Sequence, residues 1–190
     1  MQKAILIVCL LMMSTGSVLA ADSPYAGLET RQIKALSPQQ VDDLRAGRGM
    51  GLALAAELND YPGPRHVLDL SDRLGLSEEQ RTNISNLFNN MSQQAKILGG
   101  RILETERHLD SLFAGKQAND ESLRAYTAEI GRLNGELRYV HLRYHLAVRA
   151  ALSEAQIARY GALRGYGRRG TGAGGAHGGH GGHGGQGMHK

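Results

Sequence analysis

Four histidines stand at the C-terminal end of the chain, at His177, His180, His183 and His189, the first three spaced by Gly-Gly pairs. Neutral imidazole is a good ligand for borderline divalent metals such as Zn²⁺, Ni²⁺ and Cu²⁺. A Gly tether lets several rings converge on one ion, although no fold places them in advance. The surrounding residues could not build a core, so the sequence predicts a disordered Gly/His-rich tail over 165–190 that binds a divalent transition metal. The plainer alternative is a solvated low-complexity tail whose rings do nothing specific.

A second, weaker metal candidate is the pair His141 and His145. At i, i+4 both rings leave one face of a helix and could chelate together. The spacing resembles His-Glu-x-x-His, but position 142 is Leu, so the general base of a zinc protease is missing. The pair falls one residue past the apolar seam, on its flank, and a partly exposed structural role is the expectation. Glu104 and His108 share the spacing and read as a helix-surface contact.

Other chemistry is weaker still. Gly170-Thr-Gly172-Ala-Gly-Gly175 matches Gly-x-Gly-x-x-Gly, but no strand precedes it and no helix follows, so it reads as tail composition. The sequons Asn83-Ile-Ser85 and Asn90-Met-Ser92 fall within a helix. No nucleophile–base pair, phosphate loop or marked carboxylate pair stands out, and the chain is not expected to be an enzyme.

The elements that hold these residues announce themselves through one pattern repeated three times. Leu36-Ser37-Pro-Gln-Gln40, Leu76-Ser77-Glu-Glu-Gln80 and Leu152-Ser153-Glu-Ala-Gln156 are each Leu-Ser-x-x-Gln. Ser at the N-cap accepts from the N3 amide, and the N3 Gln side chain reaches back to the N-cap amide. The leading Leu can staple onto the residue at N4, which is Val41 and Ile157 in two copies but Arg81 in the second.

Between the second and third copies, Ile84, Phe88, Met91, Ala95, Leu98, Ile102, Thr105, Leu109 and Leu112 step by four and three. After Ala114-Gly115 and an Asn119 cap, the pattern resumes at Leu123, Tyr126, Ile130, Leu133, Leu137, Val140, Tyr144, Ala147 and Ala151. Two sustained seams joined by a short polar turn predict an antiparallel helical hairpin. A helix from Glu78 to Phe113 would be about 54 Å long at 1.5 Å per residue. The fold class is therefore all-α: an elongated hairpin with shorter flanking helices.

Leu87, Ile97, Leu103, Phe113, Leu142, Leu146 and Val148 lie off the seam. One hairpin cannot cover two apolar stripes. Segments from Pro38 to about Leu58, and from Arg65 to Leu74 after Pro62-Gly-Pro64, could cover part of the surplus. A second copy could cover the rest, so a homodimer is expected.

The N-terminus reads as an export signal. Lys3 supplies the positive start, Ala4 to Met13 is apolar, and Ser17-Val18-Leu19-Ala20 fits cleavage after about Ala20. The apolar run is too short to span a membrane, and no later segment is apolar enough. Cys9, the only cysteine, leaves with the signal, so no disulfide or thiolate metal site is expected despite an oxidising destination. Formal charge falls from +4 to +3 when Lys3 leaves, too weak a balance to argue for nucleic acid. The expected organisation is a signal peptide over 1–20, an N-terminal helical extension over 21–75, a hairpin domain over 76–164 and the tail.

The Leu-Ser-x-x-Gln copies at 76–80 and 152–156, one opening the hairpin and one following it, resemble the LTxxQ signature of the Spy/CpxP family. The His-bearing tail is similar to that of its zinc-responsive ZraP-like relatives. The resemblance covers Leu76 to Tyr160, with serine in place of the usual threonine in both motifs. The stretch from Ser37 to Leu74 looks like an extension seen in some bacterial members. The resemblance implies a periplasmic, ATP-independent chaperone that holds unfolded or misfolded envelope proteins, or a periplasmic heavy-metal sensor or buffer in which the hairpin is a scaffold. For client binding, the apolar and cationic candidates on the second hairpin helix are Arg138, Leu142, Arg143, Leu146 and Arg149, with Arg132 and Val148 beside them. Met50 and Met91 could add adaptable contacts. The alternative is that these arginines form an ordinary solvated helix face.

Overall fold

The computed structural model describes residues 23–166. Among the described residues the protein is all-α, with a 3-10 turn at Leu28–Thr30 followed by seven α-helices. These are α1 (Pro38–Ala46), α2 (Leu54–Glu57), α3 (Pro64–Asp69), α4 (Ser71–Leu74), α5 (Glu78–Ala114), α6 (Asp120–Ala151) and α7 (Glu154–Arg164). No helix of the described residues is long and apolar enough to cross a membrane. The segment read as an export signal, and the expected tail from residue 167 onward, lie outside the described residues.

Helices α5 and α6, of 37 and 32 residues, form the antiparallel hairpin that the two seams require. All four longer helices start at capping boxes: Ser37 with Gln40, Ser77 with Gln80, Asn119 with Ser122, and Ser153 with Gln156. Pro38 occupies N1 of α1, where its missing N–H costs no helical bond. The helical segment expected from Pro38 to about Leu58 is interrupted. Gly47, at φ 63°, ends α1 in the left-handed conformation. A glycine-bearing loop then precedes the single turn of α2.

Burial concentrates at one end of the hairpin. One cluster joins Ile33 and the α1 residues Val41 and Leu44 to Ala95, Ile102 and Leu103 of α5 and to Leu133 and Leu137 of α6. Another joins Val67, Leu74 and Leu76 to Ile84, Val148, Leu152, Ile157 and Tyr160. Met91, Val140 and Tyr144 form a smaller cluster. Both larger clusters draw on residues from either side of position 75, so the extension and the hairpin share a core. At about 1.5–3 kcal/mol per buried aliphatic or aromatic side chain, these contacts are the main stabilising term.

The contact between α1 and α5 is set by a missing side chain. A Cβ built on Gly99 would lie 2.0 Å from the carbonyl oxygen of Leu44, so the end of α1 rests directly on the α5 backbone. Only glycine fits there. The extension thereby covers part of the surplus apolar stripe, with Leu103 and Val148 buried and Leu87 and Leu142 half-buried. Ile97, Phe113 and Leu146 remain 58% exposed.

Candidate functional site

The two hairpin-flanking motifs meet. Gln80 Oε1 accepts from its own N-cap amide, Ser77 N–H, and Gln156 Oε1 accepts from Ser153 N–H. The two side-chain amides then bond each other in both directions, each Nε2 lying 3.0 Å from the partner's Oε1. Gln80 Nε2 also donates to Ala151 O at 2.9 Å, one of the carbonyls left without a helical partner where α6 ends. Local helix caps are thus joined into a tertiary lock between α5, α6 and α7. Leu76 and Leu152 are buried beside it, and Leu36 of the first copy packs half-buried against the α1 cluster. Where the staple fails at Arg81, the guanidinium instead donates to Ser71 Oγ at 2.6 Å and pairs with Asp72 at 3.1 Å, tying α5 to α4.

A second constellation centres on Glu57, which sequence reading did not single out. It is 6% exposed, at the end of the single-turn α2. Gly63 N–H donates to Oε2 at 3.0 Å, and the Tyr160 hydroxyl donates to Oε1. His66 Nδ1 lies 3.3 Å from Oε1, and Arg164 Nε lies 3.6 Å from it. The Tyr166 hydroxyl is 3.2 Å from the same oxygen. Burial by itself would raise the carboxyl pKa. The hydrogen bonds from His66 and Tyr160, the charge of His66 and the Gly63 amide outweigh it and hold the group at about 2. Tyr160, buried and donating to a carboxylate, is pushed well above its ordinary value. The carboxylate is a fixed structural anion that clips the extension onto α7.

His141 and His145 are both buried, not partly exposed as the helical period implied, because the extension covers the flank of α6. His145 Nδ1 is 2.7 Å from Tyr61 O. A carbonyl only accepts, so this nitrogen carries the proton and His145 pins the Tyr61-Pro62-Gly63-Pro64 bend. His141 is different. Its Nε2 is buried without a hydrogen-bond partner, and burial, aided by neighbouring His145, lowers its pKa. No three metal-ligating side chains converge on one point among the described residues. Glu57, His145 and His66 are committed to one another and to Tyr61, and do not fit an assembled metal centre. The tail candidates His177, His180, His183 and His189 lie outside the described residues.

Above these histidines, between the Gly47–Gly51 loop, α3 and the hairpin, is a cleft of about 900 Å³. Glu104 and His108, at 3.9 Å, form an exposed helix-surface contact far along the arm, where His108 also stacks on Tyr126 at 6.3 Å.

The client-binding candidates divide. Arg143 donates to Gln94 Oε1 at 2.7 Å and lies over the Tyr144 ring at 4.9 Å. Arg149 donates to Asp60 O at 3.1 Å and lies over Tyr61 at 5.2 Å, bracing the extension. Arg138 and Leu146 are exposed, with Leu142 half-buried between them. Tyr139, absent from the sequence-based set, is 58% exposed and completes a stripe with Leu142 and Leu146 at i, i+3 and i+7. Its spacing to Leu142 and Leu146 is legible in the sequence, although the seam residue is its buried neighbour Val140.

No family model, curated protein or solved structure matches the chain.

Proposed function

We propose that the protein is an exported, ATP-independent binder of partly unfolded envelope proteins, working in the manner of the Spy/CpxP chaperones that its twin motifs resemble. The observation that carries this reading is the stripe of Tyr139, Leu142 and Leu146 on α6, left open with Arg138 beside it after the extension has docked. Exposed apolar side chains engage apolar client segments, while neighbouring charge steers encounter and keeps the complex soluble. The lightly buried distal hairpin supplies a further surface for a second copy, so the working unit is a homodimer.

The test is light scattering from an aggregating client, without ATP and with EDTA present. Suppression at near-stoichiometric ratio is expected from the mature protein and its loss from a Tyr139→Ser, Leu146→Ser double variant. Unchanged aggregation with the mature protein would overturn the reading.

A metal sensor or buffer is the second reading, favoured by the His177, His180, His183 and His189 array. In that case the hairpin is a scaffold, and Zn²⁺, Ni²⁺ or Cu²⁺ binding weakens below about pH 6 as imidazole protonates. Titrating the full chain against a form lacking residues 170–190 separates the two, and equal affinities would remove the tail from the account.

A further inference from the structure

The extension is held in two parts by different means. From Glu57 to Asp72 polar bonds tie it down: Tyr160 to Glu57, Arg149 to Asp60 O, His145 to Tyr61 O, and Arg81 to Ser71 and Asp72. Residues 23–48 differ. Among the described residues their one polar tie to the hairpin is Lys34 with Asp110, at 2.9 Å, and the lysine is half-exposed. The rest of the contact is apolar. Ile33, Val41 and Leu44, with Leu36 half-buried, pack against Ala95, Ile102 and Leu103 of α5 and Leu133 and Leu137 of α6.

Between the two parts lies a hinge. Gly47, Met50 and Gly51 hold φ of 63°, 45° and 79°, values that glycine takes without steric cost. Met50 is strained there, and turning the hinge relieves it. The core at the root of the hairpin holds no residue before Val67, so it survives the departure of α1. A helix of nine residues is marginal alone in water, so α1 melts as it leaves. The face it leaves is an apolar groove floored by Gly99. With no side chain on that floor, the groove admits a helix backbone at close range. Beside it the groove takes aliphatic side chains three residues apart, as Val41 and Leu44 are.

We propose that this groove is a site for an amphipathic helical segment of a client, and that α1 is its tethered competitor, seated until a better-matched helix displaces it. The proposal rests on the client-binding reading and names a regulation of that activity. The chemistry of the occupant is written in α1: aliphatic anchors at i and i+3, with a cation upstream to meet Asp110. Helix-in-groove recognition uses anchors of this spacing. Tethering holds α1 at an effective concentration on the order of millimolar, which sets the threshold a client helix must exceed. Tyr139 and Leu146 stay exposed with α1 seated, so first capture and tighter holding fall to different surfaces.

The experiment follows the anisotropy of a fluorescent peptide spanning residues 31–48, mixed with the mature protein. The unaltered protein binds it weakly because α1 is seated. Leu44→Ser in the protein loosens α1, leaves the groove intact and tightens binding about tenfold, since apparent affinity scales with the open fraction. Lys34→Glu, on a half-exposed side chain, tightens it severalfold. Lys34→Glu combined with Asp110→Lys brings it back to the starting value or below. A peptide carrying Leu44→Ser binds none of these forms. Helical circular dichroism checks each variant, and if Leu44→Ser does not fold, Lys34→Glu carries the test. Equal affinity across the unaltered protein, Leu44→Ser and Lys34→Glu would overturn the proposal. So would a shift of Leu44→Ser to a larger species that binds no peptide, which assigns the groove to a second copy. If the order of affinities fails but client scattering is still suppressed, the chaperone reading survives without a competitor. If the order holds while scattering is unaffected, the chaperone reading fails and the helix site stands.

Discussion

The base of the molecule and its distal arm are made from the same two helices, yet they are held by different physics. From Leu133 through Val148, α6 has a buried residue at every turn, covered by α1, α3 and α7. From 104 to 132, across the end of α5 and the start of α6, no described residue is fully buried. Leu109, Leu112, Leu123, Tyr126 and Ile130 keep the seam but are only half-covered, since a two-helix hairpin has one contact face and no third layer. Periodicity therefore specifies where helices meet, and the number of layers specifies how much that meeting stabilises. The base is built to hold a geometry, whereas the arm leaves surface available for a partner.

The sharpest way to break this contrast is truncation of equivalent seam leucines. Leu133→Ala, at a side chain with no exposure, should lose about 4 kcal/mol, whereas Leu123→Ala should lose less than about 1 kcal/mol in urea unfolding. Equal losses would mean that the arm is covered in solution, which a concentration-dependent midpoint would trace to a second copy.

Acid probes the base through Glu57. Its pKa falls from 4.5 to about 2 on folding, so its contribution is fully present above pH about 4.5 and is lost as pH falls towards 2. That linkage amounts to about 3 kcal/mol. Glu57→Gln should remove the corresponding limb of the stability–pH curve, and the arm, whose lowered carboxyl is the surface Glu129 paired with Arg132, should show only a weak acid response by local hydrogen exchange.

Gly99→Ala tests whether α1 is docked through backbone contact. The added methyl meets Leu44 O, and a loss of about 2 kcal/mol with faster proteolysis after Arg45 is expected. Gln156→Ala, which removes the reciprocal amide pair and the bond from Ser153 N–H but leaves Ser153 Oγ capping the backbone amide at 156, should cost about 1 kcal/mol. Smallest of all, Leu146→Ser on the open stripe should shift stability by less than about 0.5 kcal/mol while lowering client protection, a separation visible only if stability and scattering are measured on the same preparation.

The features legible in the sequence are those encoded within one helical turn or one long period. Ser37, Ser77, Asn119 and Ser153 cap because the N3 amide is three residues away, and the hairpin follows from a seam sustained over many turns. That the extension covers part of the hairpin follows from the surplus apolar stripe, but where it docks is not encoded in this way. Gly99 lies beside the α5 seam, between Leu98 and Ile102, and only the structure shows that the end of α1 rests on it. Glu57 looks like any helix-end acid until Gly63, His66 and Tyr160 arrive from positions up to 103 residues away. His141 and His145 were placed on the flank by period alone, and the flank proved to be interior because α6 has two covered faces at the base. The Gln80–Gln156 pair lay in plain sight as two caps, but local rules contain no term joining motifs 76 residues apart.

That amide pair also has a mechanical meaning. The α5 helix, 37 residues at 1.5 Å per residue, is a lever about 55 Å long, and a rotation of about 10° at its root would sweep its tip through roughly 10 Å. The pivot is clamped where Gln80 grips both the last carbonyl turn of α6 and the first turn of α7. Because the clamp is made of neutral amides, neither acid nor salt loosens it, and the reach of the arm stays calibrated when its surroundings change.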